Sequence, residues 1–297
     1  MEKEQPTNGR AERYRRIRLV LVWVLAANVA VAVGKGAVGY GIGSISMVAD
    51  AFHSLMDGSS NVIGLIGIGL AARPRDETHA YGHTKFETFA SLGIVILLLV
   101  TAVEIGRSVI GRLFDTGTVE VSVVAFAVMF VNIAVNITIS SLERRSGRRW
   151  NSNFLVADSR HTLSDVWVSF SVIGSLIAAR FGFPRIDALI GGFIALVIAY
   201  WAFKIMREAS SVLLDRAMID PGQVERVCMS VEEKGLLGCH KIRTRGSEAG
   251  YWIDLHLLVE PQMTTKESHR IASLVERRLK NTFGEDTDTV IHIEPGR

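Results

Sequence analysis

Six apolar runs, at about 19–40, 44–72, 87–111, 121–142, 154–180 and 185–206, constrain this chain more than any other feature. A helix needs about 20 mostly apolar residues to cross a bilayer, and a backbone in hydrocarbon must satisfy its own hydrogen bonds, which such runs do as helices. The expected fold is an α-helical membrane protein with six transmembrane helices. Composition agrees: 48% of the residues are hydrophobic and the mean hydropathy is +0.28, as for an integral membrane protein with a soluble part attached. Basic residues orient the bundle. Those of the N-terminal segment, then Arg73, Arg75 and Lys85, then Arg144, Arg145, Arg148 and Arg149, fall on one side, while the opposite loops hold little beyond Arg112, Arg180 and Arg185. Both termini are therefore expected in the cytoplasm of a multi-pass protein of the cell (cytoplasmic or inner) membrane. The same rule accounts for a net charge of +3 without a nucleic-acid partner. The opening MEKEQPTNGRAERYRRIR has no small-residue cleavage site after a short apolar core, so the first span is expected to be retained.

The second run carries Asp50, His53 and Asp57 within SISMVADAFHSLMDG, and the fifth repeats the spacing with Asp158, His161 and Asp165. Ionisable groups at membrane depth are costly and mark functional sites. Residues three and four apart share a helix face, so each run presents a polar stripe. Two such helices face to face offer imidazoles and carboxylates suited to a tetrahedral divalent ion such as zinc. Between the second and third runs, RPRDETHAYGHTKFE places Asp76, His79 and His83 close together, a second metal-friendly set. Lys35 reads as a side chain snorkelling to the interface. Asn132 and Asn136 share a face of the fourth run, suited to interhelical hydrogen bonds or to a place beside the metal.

From about Glu208 the pattern becomes polar and alternating. The expected division is a cytosolic segment 1–18, a transmembrane domain 19–207 and a cytosolic domain 208–297 for metal binding and dimerisation. Asp220-Pro221 reads as a helix start, His240 to Arg245 as a strand, and YWIDLHLLVE as a second strand with Ile253, Leu255, Leu257 and Val259 on one face. Thr264 to Glu267 offers a capping box, and TVIHIEP a last strand. This αββαβ order predicts a small α+β domain with helices on one side of a sheet. Four of the eight histidines, His240, His256, His269 and His292, fall in it, the last followed by Glu294. Cys228 and Cys239 are too few for a disulfide framework and are expected as reduced thiols. The chain has no H-E-x-x-H, Walker loop, G-x-S-x-G or C-x-x-C, and so lacks the marks of an intramembrane metalloprotease, an ATP-driven pump or a thiol carrier.

Taken together, the paired H-x-x-x-D motifs in the second and fifth spans, the H-x-Y-G-H-x-K-x-E loop, the LLDRA segment and the terminal HIEP resemble the cation diffusion facilitator family over nearly the whole chain. The resemblance implies no enzyme. It implies a homodimeric exporter of divalent cations driven by proton antiport, with a metallochaperone-like cytosolic domain. Carried over, the transport site is His53, Asp57, His161 and Asp165, the paired-histidine version that resembles zinc and cadmium members, with iron and cobalt as further substrates. Asp76, His79 and His83 match the family's loop site. His240, His256, His269, His292 and Glu294 match its binuclear cytosolic site, with glutamate where a close bacterial relative has aspartate. Lys85 and Asp215 match a salt bridge between protomers at the membrane surface. Asp50 and Asp158 are assigned to orienting His53 and His161 or to the proton path. Two other functions compete: a membrane-anchored metal sensor or assembly scaffold without transport, and a proton-coupled exporter of organic cations. A scaffold has no reason to keep charged groups in the bilayer, and an organic-cation site calls for aromatic walls rather than paired histidine and aspartate.

Overall fold

A computed structural model describes residues 8–41, 51, 52, 54, 55, 57–114, 123–180, 184–247 and 249–296. The chain divides into two compact units, Met1–Ala209 and Ser210–Arg297. The first is helical: α1 (Asn8–Gly41), α2 (Ser59–Ala71), α3 (Lys85–Phe114), α4 (Val123–Arg149), α5 (Asn153–Arg180) and α6 (Pro184–Leu213). Among the described residues, Gly9–Val38, Lys85–Gly111 and Leu189–Leu213 are long and apolar enough to cross a membrane by length and composition, and Ser59–Ala71 is a shorter apolar helix. Part of the expected second span lies outside the described residues. The polar groups that α4 and α5 carry, Glu143 and Asn132 on one and Asp158, His161 and Asp165 on the other, dilute their hydropathy.

Packing in this unit joins α1, α2, α3, α5 and α6 through one core that includes Leu21, Ile68, Ile94, Leu98, Phe154, Leu155 and Ile198. Small residues bring the helices close. Gly67 leaves room for Ala90 of α3 and Gly64 for the ring of Phe154, the close approach that helices in a bilayer use when no hydrophobic drive separates them from lipid. The pair α4 and α5 forms the most extensive helix contact of this unit. Their connection is three residues long. Asn151 adopts a left-handed φ of 46°, Ser152 donates its amide to the Gly147 carbonyl at 2.8 Å, and its hydroxyl accepts from the Leu155 amide at 3.3 Å as a cap. Arg13 fastens this turn to the rest of the unit. Its guanidinium donates to the carbonyls of Trp150 (2.7 Å) and Asn151 (2.8 Å) and to Glu87 of α3 (2.9 Å).

The second unit has the expected order: α7 (Pro221–Met229), β1 (Leu236–Ser247), β2 (Gly250–Val259), α8 (Thr265–Phe283) and β3 (Asp288–Pro295). The strands lie in the order β1-β2-β3, with β1 antiparallel to β2 and β2 parallel to β3. Alternation decides the faces. Ile253, Leu255, Leu257 and Val259 are buried with Val224 and Cys228 of α7 and Ile271, Val275 and Leu279 of α8. Asp220 caps α7 by accepting from the Gln223 amide, and Thr264 with Glu267 forms a complete capping box on α8. Cys228 and Cys239 are free and buried.

Candidate metal centres

Within the helical unit the polar stripe of α5 meets the segment leading into α2. Asp57, His161 and Asp165 each offer a ligand atom, all within 4.8 Å of one another. They line a cavity with Asn28 of α1, Ser54 before α2 and Ser60 within it, Asn132 and Asn136 of α4, and Thr162 of α5. The asparagines thus face the same space as the carboxylates. His161 is 5% exposed, and one imidazole with two carboxylates is a donor set fit for a divalent ion. His53 and Asp50 lie outside the described residues. Serine hydroxyls on α5 fold back onto its own carbonyls, Ser164 to His161 at 2.6 Å and Ser169 to Asp165 at 2.8 Å, and the Ser164 hydroxyl also lies 3.4 Å from Asp165 Oδ1.

Two findings depart from the sequence reading. Lys35 does not snorkel: it is 5% exposed and donates to Ser54 at 2.7 Å, at the wall of the cavity. Asp158 makes no hydrogen bond that would orient His161. It is wholly buried, and among the described residues neither oxygen accepts from a donor group; it lies beside a second buried carboxyl, Glu143, which the sequence reading did not single out.

The loop set also comes together, Asp76, His79 and His83 holding ligand atoms within 4.8 Å. Gly82, at φ 84°, supplies the turn, closed by its amide on the His79 carbonyl at 2.8 Å, and so brings the two imidazole rings to 4.3 Å. Asp76 accepts from the Thr78 hydroxyl at 2.8 Å and the His79 amide at 2.7 Å. Those donors, the Thr78 hydroxyl foremost, hold its carboxyl at about 2, so it is ionised and ready to ligate at any physiological pH.

In the small domain the register does the assembling. His240 stands opposite His256 and His256 beside His292, one row across three strands. A shift in strand register between His240 and Arg243, with Lys241 at φ 48°, bends β1 beside the first of them, as bulges do next to sites. Glu294 accepts from His240 Nε2 and His256 Nδ1, each at 2.8 Å, and His292 Nε2 lies 3.8 Å away. Hydrogen bonds from His256 and His240 hold the Glu294 carboxyl at about 2. The ligand atoms of His240, His256 and Glu294 likewise lie within 4.8 Å of one another. His269 is exposed in the first turns of α8 and is not one of that group.

The sequence matches the cation efflux transmembrane domain over residues 21–214 and the cytoplasmic domain of cation efflux proteins over residues 219–296. The chain belongs to the cation efflux, or cation diffusion facilitator, family. An uncharacterized transporter of Methanocaldococcus jannaschii is 31% identical over 90% of this chain and 94% of its own. The cation-efflux pump FieF of Shewanella oneidensis is 30% identical over 85% of each chain. Metal tolerance protein C1 of Arabidopsis thaliana is 26% identical over 91% of this chain and 61% of its own. The family is one of transporters rather than enzymes. The chain is a membrane protein in which a helical transmembrane domain is followed by a small cytosolic domain with a three-stranded sheet.

Proposed function

We propose that this protein exports divalent metal cations, zinc foremost and cadmium, iron and cobalt beside it, from the cytosol in exchange for protons. The observation that carries the reading is the convergence of Asp57, His161 and Asp165 on one polar cavity inside a family of cation efflux. His53 completes the set as a second imidazole.

Coordination needs neutral imidazole and ionised carboxylate, so metal and protons compete for the same side chains. A site that meets the cytosol in one arrangement and the outside in another would load metal on one side and exchange it for protons on the other. No nucleotide is required. The transmembrane domain spans the cytoplasmic membrane six times, residues 19–207, with both termini inside. Residues 208–297 bind metal in the cytosol through His240, His256, His269, His292 and Glu294, and Asp76, His79 and His83 hold an ion at the membrane surface. The protein works as a homodimer, with Lys85 and Asp215 pairing between protomers. Metal on the cytosolic domain shifts the dimer toward a transport-competent arrangement to the extent that it binds that arrangement more tightly.

The test is metal flux into proteoliposomes of the purified protein under an imposed pH gradient, with zinc, cadmium, manganese and iron compared. Zinc uptake that rises with the gradient and is lost in Asp57→Ala, while the protein stays folded and dimeric, is the expected result. Full flux in Asp57→Ala removes the site assignment. Absence of flux for every metal, with tight zinc binding retained, favours the membrane-anchored sensor or scaffold instead.

A further inference from the structure

Glu143 near the end of α4 and Asp158 in the second turn of α5 are both 0% exposed, and they neighbour one another. Their hydrogen bonding is incomplete. Glu143 Oε2 accepts from the Thr162 hydroxyl at 2.9 Å, but among the described residues Glu143 Oε1 and both oxygens of Asp158 accept from no donor group, and the two carboxyls lie within hydrogen-bonding reach of one another. Ser60 approaches Asp158, yet its hydroxyl donates to the Asp57 carbonyl at 3.1 Å. The charged groups beside the pair are His161, Asp165 and each other. Arg144 and Arg145, next in sequence, are exposed. Removing one partner from a buried charge pair is costly because it leaves charge without compensation, and here, among the described residues, the positive group beside the pair is the His161 imidazole, which must be neutral to bind metal. Two carboxylates carry two negative charges. One divalent ion cancels both, whereas protonation must supply two protons to do the same, since one shared proton leaves a negative charge buried.

We propose that Glu143 and Asp158 form a second divalent-cation site, separate from Asp57, His161 and Asp165, at which the cargo rests on its way to them. The donors are all oxygens, two carboxylates with the Thr162 and Ser60 hydroxyls, a hard set that holds a divalent ion by charge and lets it go readily. Position fits a waiting place. On α5, Asp158, His161 and Asp165 share a face at spacings of three and four, and Asp158 is the member nearest the arginine-rich α4–α5 turn. This rests on the reading that this turn is cytosolic and that cargo arrives from that side. Zinc would then pass from oxygen ligands to a set containing imidazole, which it favours.

The experiment uses the full-length protein in nanodiscs with Mn²⁺ as probe, since manganese favours oxygen ligands. Bound Mn²⁺ is counted by electron paramagnetic resonance in wild type, Glu143→Gln, Asp158→Asn and Asp57→Ala. One equivalent is expected to disappear with Glu143→Gln or Asp158→Asn and to persist in Asp57→Ala. In proteoliposomes the same two variants should lose about tenfold in zinc flux at limiting zinc, a change of about 1.4 kcal/mol, and recover most of it at saturating zinc. An unchanged Mn²⁺ count overturns the proposal. So does infrared spectroscopy of the wild type, which needs no variant, if a protonated carboxylic C=O band is present equally with and without Mn²⁺. A wild type that moves no metal but loses one Mn²⁺ equivalent in Asp158→Asn refutes export while leaving the site standing.

Discussion

Replacing Glu294 with glutamine should cost cytosolic zinc affinity at least about tenfold, since it removes a carboxylate donor that also holds the histidines in place. Competition with a chromophoric chelator would measure it, and unchanged affinity would show that Glu294 merely neighbours the histidines. Because His256 and His240 hold this carboxyl at about 2, it stays ionised over the whole range in which imidazoles exchange protons for metal. Acidification from pH 8 to 5 should therefore release zinc through the histidines alone. The residues that sequence spacing could identify were those whose chemistry is rare at their depth: Asp57, His161 and Asp165 stand out in any apolar run. Lys35 and Glu143 did not, because a charge near the end of a span has an ordinary use at the interface. Only the packing of α4 on α5, and of α1 beside Ser54, reveals them as buried.

Helix α8 is held at its start by the Thr264–Glu267 box, in which Thr264 donates its amide and hydroxyl to Glu267 at 2.9 and 2.7 Å. Thr264→Ala should destabilise the cytosolic domain by about 1 kcal/mol, visible as a lower midpoint in thermal unfolding. The same hydrogen bonds, the Thr264 hydroxyl first, pull the Glu267 carboxyl below its usual range. A depressed folded value means that the contribution is complete above the unfolded pKa near 4.5 and is lost as pH falls through the folded one. The Thr264→Ala penalty should accordingly shrink in strong acid. In the helical unit, Gly64→Val would drive a side chain into the Phe154 ring and Leu21. Overpacking of this kind costs about 1–3 kcal/mol and should lower the yield of folded protein in size-exclusion chromatography, while Gly69→Ala, which meets nothing within 4 Å, should not. The order α7-β1-β2-α8-β3 was legible because its signals are local: a capped start, strict alternation in YWIDLHLLVE, a second cap. The kink at Lys241 was not, since no Gly marks it and a non-glycine residue at φ 48° gives no compositional hint.

At the level of the assembly, reversing Lys85 to glutamate should weaken the dimer, and adding Asp215→Lys should restore it, as read by light scattering. Rescue failure would show that the two residues do not pair across protomers. Asp215 also lies 3.4 Å from Arg245 within its own chain, so the double variant is the decisive arm. How many times the chain crosses the bilayer was legible from run lengths only as an expectation, because α4 and α5 dilute their hydropathy with the groups that do the work.

The row of His240, His256 and His292 across the sheet gives a bound ion a second consequence. A slip of one residue between β2 and β3 would turn β3 over, sending His292 and Glu294 into the apolar layer beneath the helices and Ile291 and Ile293 out of it. An ion that needs Glu294 together with His240 and His256 can bind only the correct alignment. It would thus add its binding energy to a strand pairing that the apolar layer already favours.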